Sequence, residues 1–202
     1  MMKKLLALAM ALVLILTVPL AALAEEYDLA KGSITVEAKE DGQYVSQETN
    51  GISNEKQTTE TVIKQTDSGT SSTENTITIK AEKDQTAEVT ISDVNIDVSS
   101  EGKAAISTGG DGNVTIELDG DNTAKSGEDH AGVEKNNDGN LTIADADADS
   151  SLNATGGSYG AGIGGGYKQD VSDITIESGD ITATGGRGGA GFGGGNAGDA
   201  SN

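Results

Sequence analysis

The sequence predicts an all-β fold, a right-handed parallel β-helix of about six coils with about 27 residues per coil. Three observations predict it: a duplicated glycine-rich segment, columns of regularly spaced aliphatic residues, and short strand-like triplets. The glycine-rich segment TGGSYGAGIGGG at residues 155–166 recurs 29 positions later as TGGRGGAGFGGG at residues 184–195. A period of about 20 to 50 residues is the signature of stacked repeats. Glycine permits the tight corners that such stacking requires.

Aliphatic residues recur at nearly constant spacing, as they must if each coil supplies one side chain to a shared interior column. One predicted column is Ile52, Ile79, Ile106, Val133, Ile163 and Phe192. A second is Val36, Ile63, Ile91, Ile116, Ile143 and Ile176, and a fainter third is Ile96, Thr123, Leu152 and Ile181. Three columns predict three strands per coil, each pairing with the coils above and below at a spacing of about 4.8 Å.

The second column carries triplets in which two aliphatic residues flank a threonine: VTI at 89–91 and 114–116, LTI at 141–143 and ITI at 174–176. Successive side chains of a strand face opposite sides, so the aliphatic residues should face inward. The threonines should form an outward rank of Thr90, Thr115, Thr142 and Thr175. The crossover rule for parallel strands gives the right hand of the helix.

The first 24 residues predict a secretory signal peptide. Lys3 and Lys4 form a positive start, residues 5–18 form an apolar run, and Ala22-Leu23-Ala24 is a small-residue cleavage signature. The run is shorter than the roughly 20 residues that cross a bilayer. Cleavage near Ala24 predicts a secreted or cell-surface protein that is not inserted in the membrane.

The remainder divides at about residue 74. Residues 25–74 repeat less cleanly and predict N-terminal capping and irregular first coils, with a flexible linker as the alternative. Residues 75–202 contain the regular repeats. No closing strand or helix follows residues 192–195, which predicts that the sequence is truncated at its C-terminus. An uncovered last coil would have unpaired backbone groups, so end-to-end self-association of the fragment is expected.

Composition excludes several partners. The chain has a net charge of −20, which becomes −22 when the two lysines of the leader are removed. Such a surface repels nucleic acid and anionic membranes. The chain has no cysteine, which excludes disulfides, thiol chemistry and cysteine-ligated metal sites.

The segment ADADAD at residues 144–149 is the first candidate site. In an extended segment, Asp145, Asp147 and Asp149 would place three carboxylates on one side, and Ca²⁺ takes six to eight oxygen ligands. The segment starts like an EF-hand loop but has Ser150 where that loop has glycine. A solvated loop is the alternative. Asp119, Asp121, Glu128 and Asp129 form a second acidic cluster.

Tyr159 and Tyr167 bracket the first glycine motif, where they could stack on sugar rings or simply pack at a corner. His130, the single histidine, is expected to be a corner residue bonded to backbone, because a zinc site would need further ligands. A polysaccharide lyase would need calcium and a basic residue on one strand face. Lys103, Lys168 and Arg187 lie in different contexts, so we expect no enzymatic activity.

The order of motifs also resembles a known family. NVTI (113–116), HAGV (130–133), GNLTI (139–143), LNATGG, GAGIGGG, ITI, ITATGG and GAGFGGG resemble the secreted β-helix proteins of Gram-positive anaerobes known as carbohydrate-binding-domain proteins. The resemblance covers about residues 75–202. It implies a calcium-bearing right-handed β-helix that binds plant or bacterial cell-wall polysaccharide as an adhesin. The alternatives are a structural surface stalk that displays another module and, less favoured, a polysaccharide lyase.

Overall fold

The computed structural model describes residues 24–47, 51–57, 60–69 and 71–201. The predicted signal peptide lies outside these residues except for Ala24. The described strands are β1 (Glu25–Asp28), β2 (Ile34–Lys39), β3 (Gly42–Gln47), β4 (Ile52–Lys56), β5 (Thr61–Lys64), β6 (Ile77–Ala81), β7 (Thr86–Ser92), β8 (Asn95–Asp97), β9 (Ile106–Gly109), β10 (Asn113–Asp119), β11 (Asp121–Lys125), β12 (Val133–Glu134), β13 (Leu141–Ala144), β14 (Ser151–Thr155), β15 (Ile163–Gly164), β16 (Val171–Ser172), β17 (Ile174–Ile176), β18 (Asp180–Thr184), β19 (Phe192–Gly193) and β20 (Ala200–Ser201). A 3₁₀ turn at Leu29–Lys31 is the helix of the described chain, and no described helix has the length and apolar character to span a membrane.

Eighteen of these strands stack into three long sheets, one on each face of a solenoid, and β16 and β20 pair in a short parallel fourth sheet. Sheet A has the order β1-β5-β7-β10-β13-β17, sheet C the order β18-β14-β11-β8, and sheet B the order β19-β15-β12-β9-β6-β2-β3-β4. Every pairing in sheets A and C is parallel. In sheet B, β3 pairs antiparallel with both β2 and β4, and β3 and β4 extend the sheet beyond β2.

The predicted fold class is therefore confirmed. The chain is all-β, and its parallel strands stack into a β-solenoid of about five turns, roughly 29 residues apart, rather than about six coils of 27. From β7 onward, each turn passes through sheet A, then C, then B. The interior is one continuous hydrophobic cluster of stacked aliphatic side chains, including Ile63, Ile91, Ile116 and Ile143, each fully buried. Burial of each such side chain contributes about 1.5 to 3 kcal/mol.

The predicted columns are correct in the later turns and slip by two residues in the earlier ones. Val133 stacks on Ile106 and Ile163 as predicted, but Ile106 stacks on Ile77, whereas Ile79 lies opposite Thr108. The reason is that Ile77 and Ile79 both face inward, so a constant spacing cannot distinguish them. Equally, Ile91 lies opposite Ile63 and Leu118, and Val89 takes the predicted place opposite Ile116.

Two residues of the first turn were assigned to the wrong strand. Val36 belongs to sheet B, opposite Ile79, and Tyr27 is the sheet A residue opposite Ile63. Ile52 lies in β4, opposite Gln47, outside the interior column. The antiparallel pair β3–β4 interrupts the repeat at this point, so the spacing to Ile52 reflects chance.

Two corrections concern outward and inward faces. Thr115, Thr142 and Thr175 form the predicted outward rank, but it continues into Glu88, while Thr90 lies opposite Glu117 and is buried. In sheet C, Thr123 lies opposite Asn95 on the outer side. Two interior positions replace it: Asn122 is buried opposite Leu152, and Ala124 is buried opposite Ile96.

Asn122 replaces an aliphatic residue without leaving its amide unpaired. Its Oδ1 accepts the backbone N–H of Val94 at 3.1 Å, and its Nδ2 donates to the carbonyls of Asp119 at 3.0 Å and Ser151 at 3.2 Å. The amide thus joins three successive turns at the corner between sheets A and C. Buried polar groups are tolerated when they are hydrogen-bonded in this way.

The last described turn keeps its register but not its burial. Phe192 stacks on Ile163 and Ile176 on Ile143, as predicted. Their side chains are nevertheless 50% and 38% exposed, because no described turn lies on their other side.

Candidate functional site

The three predicted calcium ligands do not form one rank of carboxylates. The segment is not extended, because it bends at residues 146–148 and Ala148 has a φ of 56°. Asp145 is buried, and its carboxylate accepts the backbone N–H groups of Ala148 at 3.0 Å and Ser150 at 2.9 Å. Asp147 and Asp149 are exposed. Across the described residues, no three histidine, cysteine or acidic side chains lie close enough together to hold a metal ion.

The second acidic cluster is likewise divided. Asp119 accepts the hydroxyl of Ser92 and Asp121 the hydroxyl of Ser151, each at 2.7 Å, at the corner between sheets A and C. Glu128 and Asp129 lie at the other end of β11, in the glycine-rich corner before β12. The four acidic residues therefore lie at two different corners and do not form one cluster.

Tyr159 and Tyr167, in contrast, are brought together. Their ring centroids are 5.3 Å apart with an interplanar angle of 45°, and the Lys168 ammonium lies 4.8 Å from the Tyr167 centroid. Tyr167 is 39% exposed and Tyr159 is half-buried. The chain has four tyrosines and one phenylalanine, so this corner collects two of its five aromatic rings. We call Tyr159, Tyr167 and Lys168 the tyrosine corner.

The backbone of Tyr159 is strained. Its φ is 71°, in the left-handed region that costs a bulky residue about 1 to 2 kcal/mol. The equivalent residue of the following turn is Gly188, whose φ is 84° and which adopts this conformation without strain. The two turns are aligned here by the hydrogen bond that the Tyr159 N–H donates to the Arg187 carbonyl at 3.0 Å. The turn therefore holds an aromatic side chain where glycine suits the backbone better.

A chain of side-chain hydrogen bonds lies beside this corner. His130 Nδ1 is 2.8 Å from Glu134 Oε2, which also accepts the Ala131 N–H at 3.0 Å. Asn136 Nδ2 donates to Glu134 Oε1 at 3.1 Å, and Gln169 Nε2 donates to Asn136 Oδ1 at 2.7 Å. His130 is thus bonded to a buried carboxylate rather than to backbone, which corrects the sequence-based expectation.

The same chain ends at a polar pocket of about 300 Å³. Its walls are Lys135, Asn136, Asn137, Asp138, Gln169, Asp170, Val171 and Ser172. Lys135 is buried, and its Nζ donates to the Asn137 carbonyl at 2.6 Å. Burial lowers the pKa of Lys135, while the negative charges of Asp173 and Asp138 act in the opposite direction. We call this cavity the Lys135 pocket.

Sequence reasoning missed the Lys135 pocket. Its walls come from two segments, 135–138 and 169–172, that follow β12 and β15, the stacked strands of successive turns. The one available signal was a lysine directly after the inward pair Val133-Glu134. By charge alone it is indistinguishable from a surface lysine.

Comparison with known proteins does not extend the functional assignment: the chain matches no family model, no curated protein and no solved structure. The candidate site is therefore defined by its own geometry. It consists of the tyrosine corner, the hydrogen-bond chain from His130 to Gln169, and the Lys135 pocket.

Proposed function

We propose that this protein is a non-catalytic carbohydrate-binding and adhesion solenoid that acts outside the cell. The single observation that supports it most is the tyrosine corner. Aromatic rings pack against apolar faces, and their edges and hydroxyl groups still meet water. A sugar ring has this divided character, with C–H groups on its faces and hydroxyl groups around its rim.

The strain at Tyr159 supports a role beyond folding. A glycine at this position would remove the strain, as Gly188 does in the following turn. Left-handed conformations of bulky residues are often retained at binding sites, where the side chain has a use. The backbone conformation of Tyr159 therefore destabilises the fold by about 1 to 2 kcal/mol. A role of its ring in stacking on sugar would account for a tyrosine at this position.

The surroundings of the rings fit a hydroxyl-rich ligand. Asn136 and Gln169 offer amide groups, Asp170 and Ser172 offer oxygen atoms within five residues of Tyr167, and Asp138 adds a carboxylate to the same pocket. Amides and hydroxyls both donate and accept hydrogen bonds, as sugar hydroxyls do. Calcium assistance, which the family resemblance implies, remains part of the proposal through the exposed Asp147 and Asp149.

The test is a glycan array probed with and without calcium, using the intact chain and the variant Tyr159→Gly. We expect binding by the intact chain and its loss in the variant. The free energy of unfolding should change by less than about 1 kcal/mol, because relief of backbone strain offsets the greater entropy that glycine gives the unfolded chain. Tyr44→Ala, on β3 in the N-terminal part of sheet B, is the matched control and should bind normally. Absence of binding to every glycan would favour the structural stalk.

A further inference from the structure

Lys135 is unusual among the basic residues of this chain. Of the lysines in the described ranges it alone is buried, with 6% of its surface exposed. Burying an ammonium is costly unless its charge is paired or its donors are used. Lys135 therefore needs an explanation that a surface lysine would not.

The protein uses only part of the hydrogen-bonding capacity of Lys135. An ammonium has three N–H donors, and Lys135 donates to the Asn137 carbonyl at 2.6 Å. It is in none of the ion pairs among the described residues. Two of its N–H donors are thus left for whatever occupies the pocket.

Carboxylates share the pocket with Lys135 without reaching it. Asp138 and Asp170 both line the cavity and are exposed, and the Asp170 carboxylate also accepts the Asp199 N–H at 2.8 Å. Lys135 and Asp138 come from one segment and Asp170 from the other, so the pocket combines an N–H donor with carboxylate acceptors. This combination suits a group that both accepts and donates hydrogen bonds. A hydroxyl group does both.

We infer that the Lys135 pocket binds an uncharged sugar ring through two neighbouring hydroxyl groups, which accept from Lys135 and donate to Asp138 and Asp170. An anionic sugar is disfavoured, because Asp138 and Asp170 line the pocket and the charge of Asp173 also acts on its single ammonium. A cationic ligand is also disfavoured, because the positive charge of Lys135 would repel it. At about 300 Å³, the cavity is at the small end of ligand sites and fits one ring rather than several.

This inference rests on the proposed function, because Tyr167 lies two residues before Gln169, which lines the pocket. It specifies the substrate class: a neutral glycan whose one ring enters the pocket while a neighbouring ring covers Tyr167. Calcium is not needed for this contact, since no cation has to bridge two negative charges.

The experiment is an NMR titration of the ¹⁵N-labelled chain with cellotriose, mannotriose, xylotriose and, as the anionic probe, trigalacturonate, all in the presence of chelator. We expect at least one neutral trisaccharide to bind and to shift the amide signals of residues 135–138 and 169–172. Lys135→Met keeps the aliphatic stem and removes the donors, and should weaken binding about tenfold or more. Asp138→Ala removes the acceptor at an exposed position and should weaken binding by a similar factor. It also serves as the second variant if Lys135→Met does not fold.

Lys83→Met changes an exposed lysine away from the pocket and should bind like the intact chain. Preferential binding of trigalacturonate, or neutral binding that survives both pocket variants, would overturn the inference. Neutral binding that survives them but is lost in Tyr167→Ala would overturn it while leaving the proposed function in place. Failure of the intact chain to bind any of the four probes or any arrayed glycan would overturn both.

Discussion

The carboxylate of Asp145 accepts the backbone N–H of Ser150 at 2.9 Å, so this aspartate closes its own loop. The same carboxylate accepts the Ala148 N–H at 3.0 Å. The Ser178 hydroxyl, one turn further on, accepts the Asp145 N–H at 2.7 Å and donates to the Asp145 carbonyl at 2.8 Å. Asp145 therefore connects its loop with the following turn.

The first prediction separates Asp145 from its neighbour in sequence. Asp145→Ala should lower the free energy of unfolding by about 2 kcal/mol, because the buried N–H of Ser150 and the part-buried N–H of Ala148 both lose their acceptor. Asp147→Ala, at an exposed position, should change it by less than about 0.5 kcal/mol. Urea denaturation followed by circular dichroism measures both. Equal effects of the two substitutions would contradict the structural role of Asp145.

The second prediction concerns calcium. The double variant Asp147→Asn and Asp149→Asn should lower calcium affinity and leave the circular dichroism spectrum unchanged, because both side chains are exposed. Any retention of acidic polysaccharide should weaken on chelation, since a protein of net charge −20 needs a bridging cation to hold it. Titration calorimetry at millimolar calcium is the measurement. Absence of calcium uptake by the intact chain would remove calcium from the proposed function.

The third prediction tests the interior column. Ile163 is fully buried between Val133 and Phe192, so Ile163→Asp should bury an unpaired carboxylate and cost about 3 kcal/mol or more. Thr142→Asp places the same carboxylate on the outer face of sheet A and should cost far less. Thermal denaturation of the two variants gives the comparison, and similar melting temperatures would argue against the observed register.

The fourth prediction is a pH dependence located at Asp28. Burial raises the pKa of Asp28, but hydrogen bonds from Thr66 N at 3.0 Å, Thr66 Oγ1 at 2.8 Å and Ala30 N at 3.1 Å outweigh it, and the pKa is held below its usual value. A depressed pKa in the folded state contributes stability above the unfolded pKa of about 3.9, and this contribution is lost as the pH falls through the folded value. Asp28→Asn should therefore be less stable than the intact chain at pH 7.

The difference between the two proteins should shrink as the pH falls below about 4, because Asp28 is protonated first in the unfolded state and then, at lower pH, in the folded state. Urea denaturation at pH 3, 5 and 7 measures this. Glu82→Gln, an exposed acid, is the control for the general effect of removing a negative charge. A stability difference that stayed constant across the three values would contradict the assignment to Asp28.

The fold was predictable because stacking imposes a period on the chain. Val133, Ile163 and Phe192 each follow an alanine and a glycine, in the triplets AGV, AGI and AGF, so their alignment had one solution. Ile77 and Ile79 share one inward face, so a slip of two residues leaves the pattern unchanged. The β3–β4 insertion was hidden for a different reason: an antiparallel pair has its own alternation, and nothing in it marks the departure from the solenoid.

The site was only half predictable. Tyr159 and Tyr167 attracted attention because aromatic residues are scarce in this chain, and the structure does bring them together. The Lys135 pocket depends on the lengths of two loops in successive turns, which place Gln169 against Asn136 although they are 33 residues apart. Local sequence carries no record of that contact.

The stacked glycines also bear on how this protein can change its length. A Cβ added to Gly157 would overlap the carbonyl oxygen of Gly127, and one added to Gly186 would overlap that of Gly157, so each corner fits directly onto the one before it. A turn therefore presents to its successor the same surface that it received from its predecessor. Gene duplication could add such a unit, and recombination could remove one, with the joints on either side already matched. The length of the solenoid would then change by whole turns. Any binding surface that extends along its faces would be gained or lost one turn at a time.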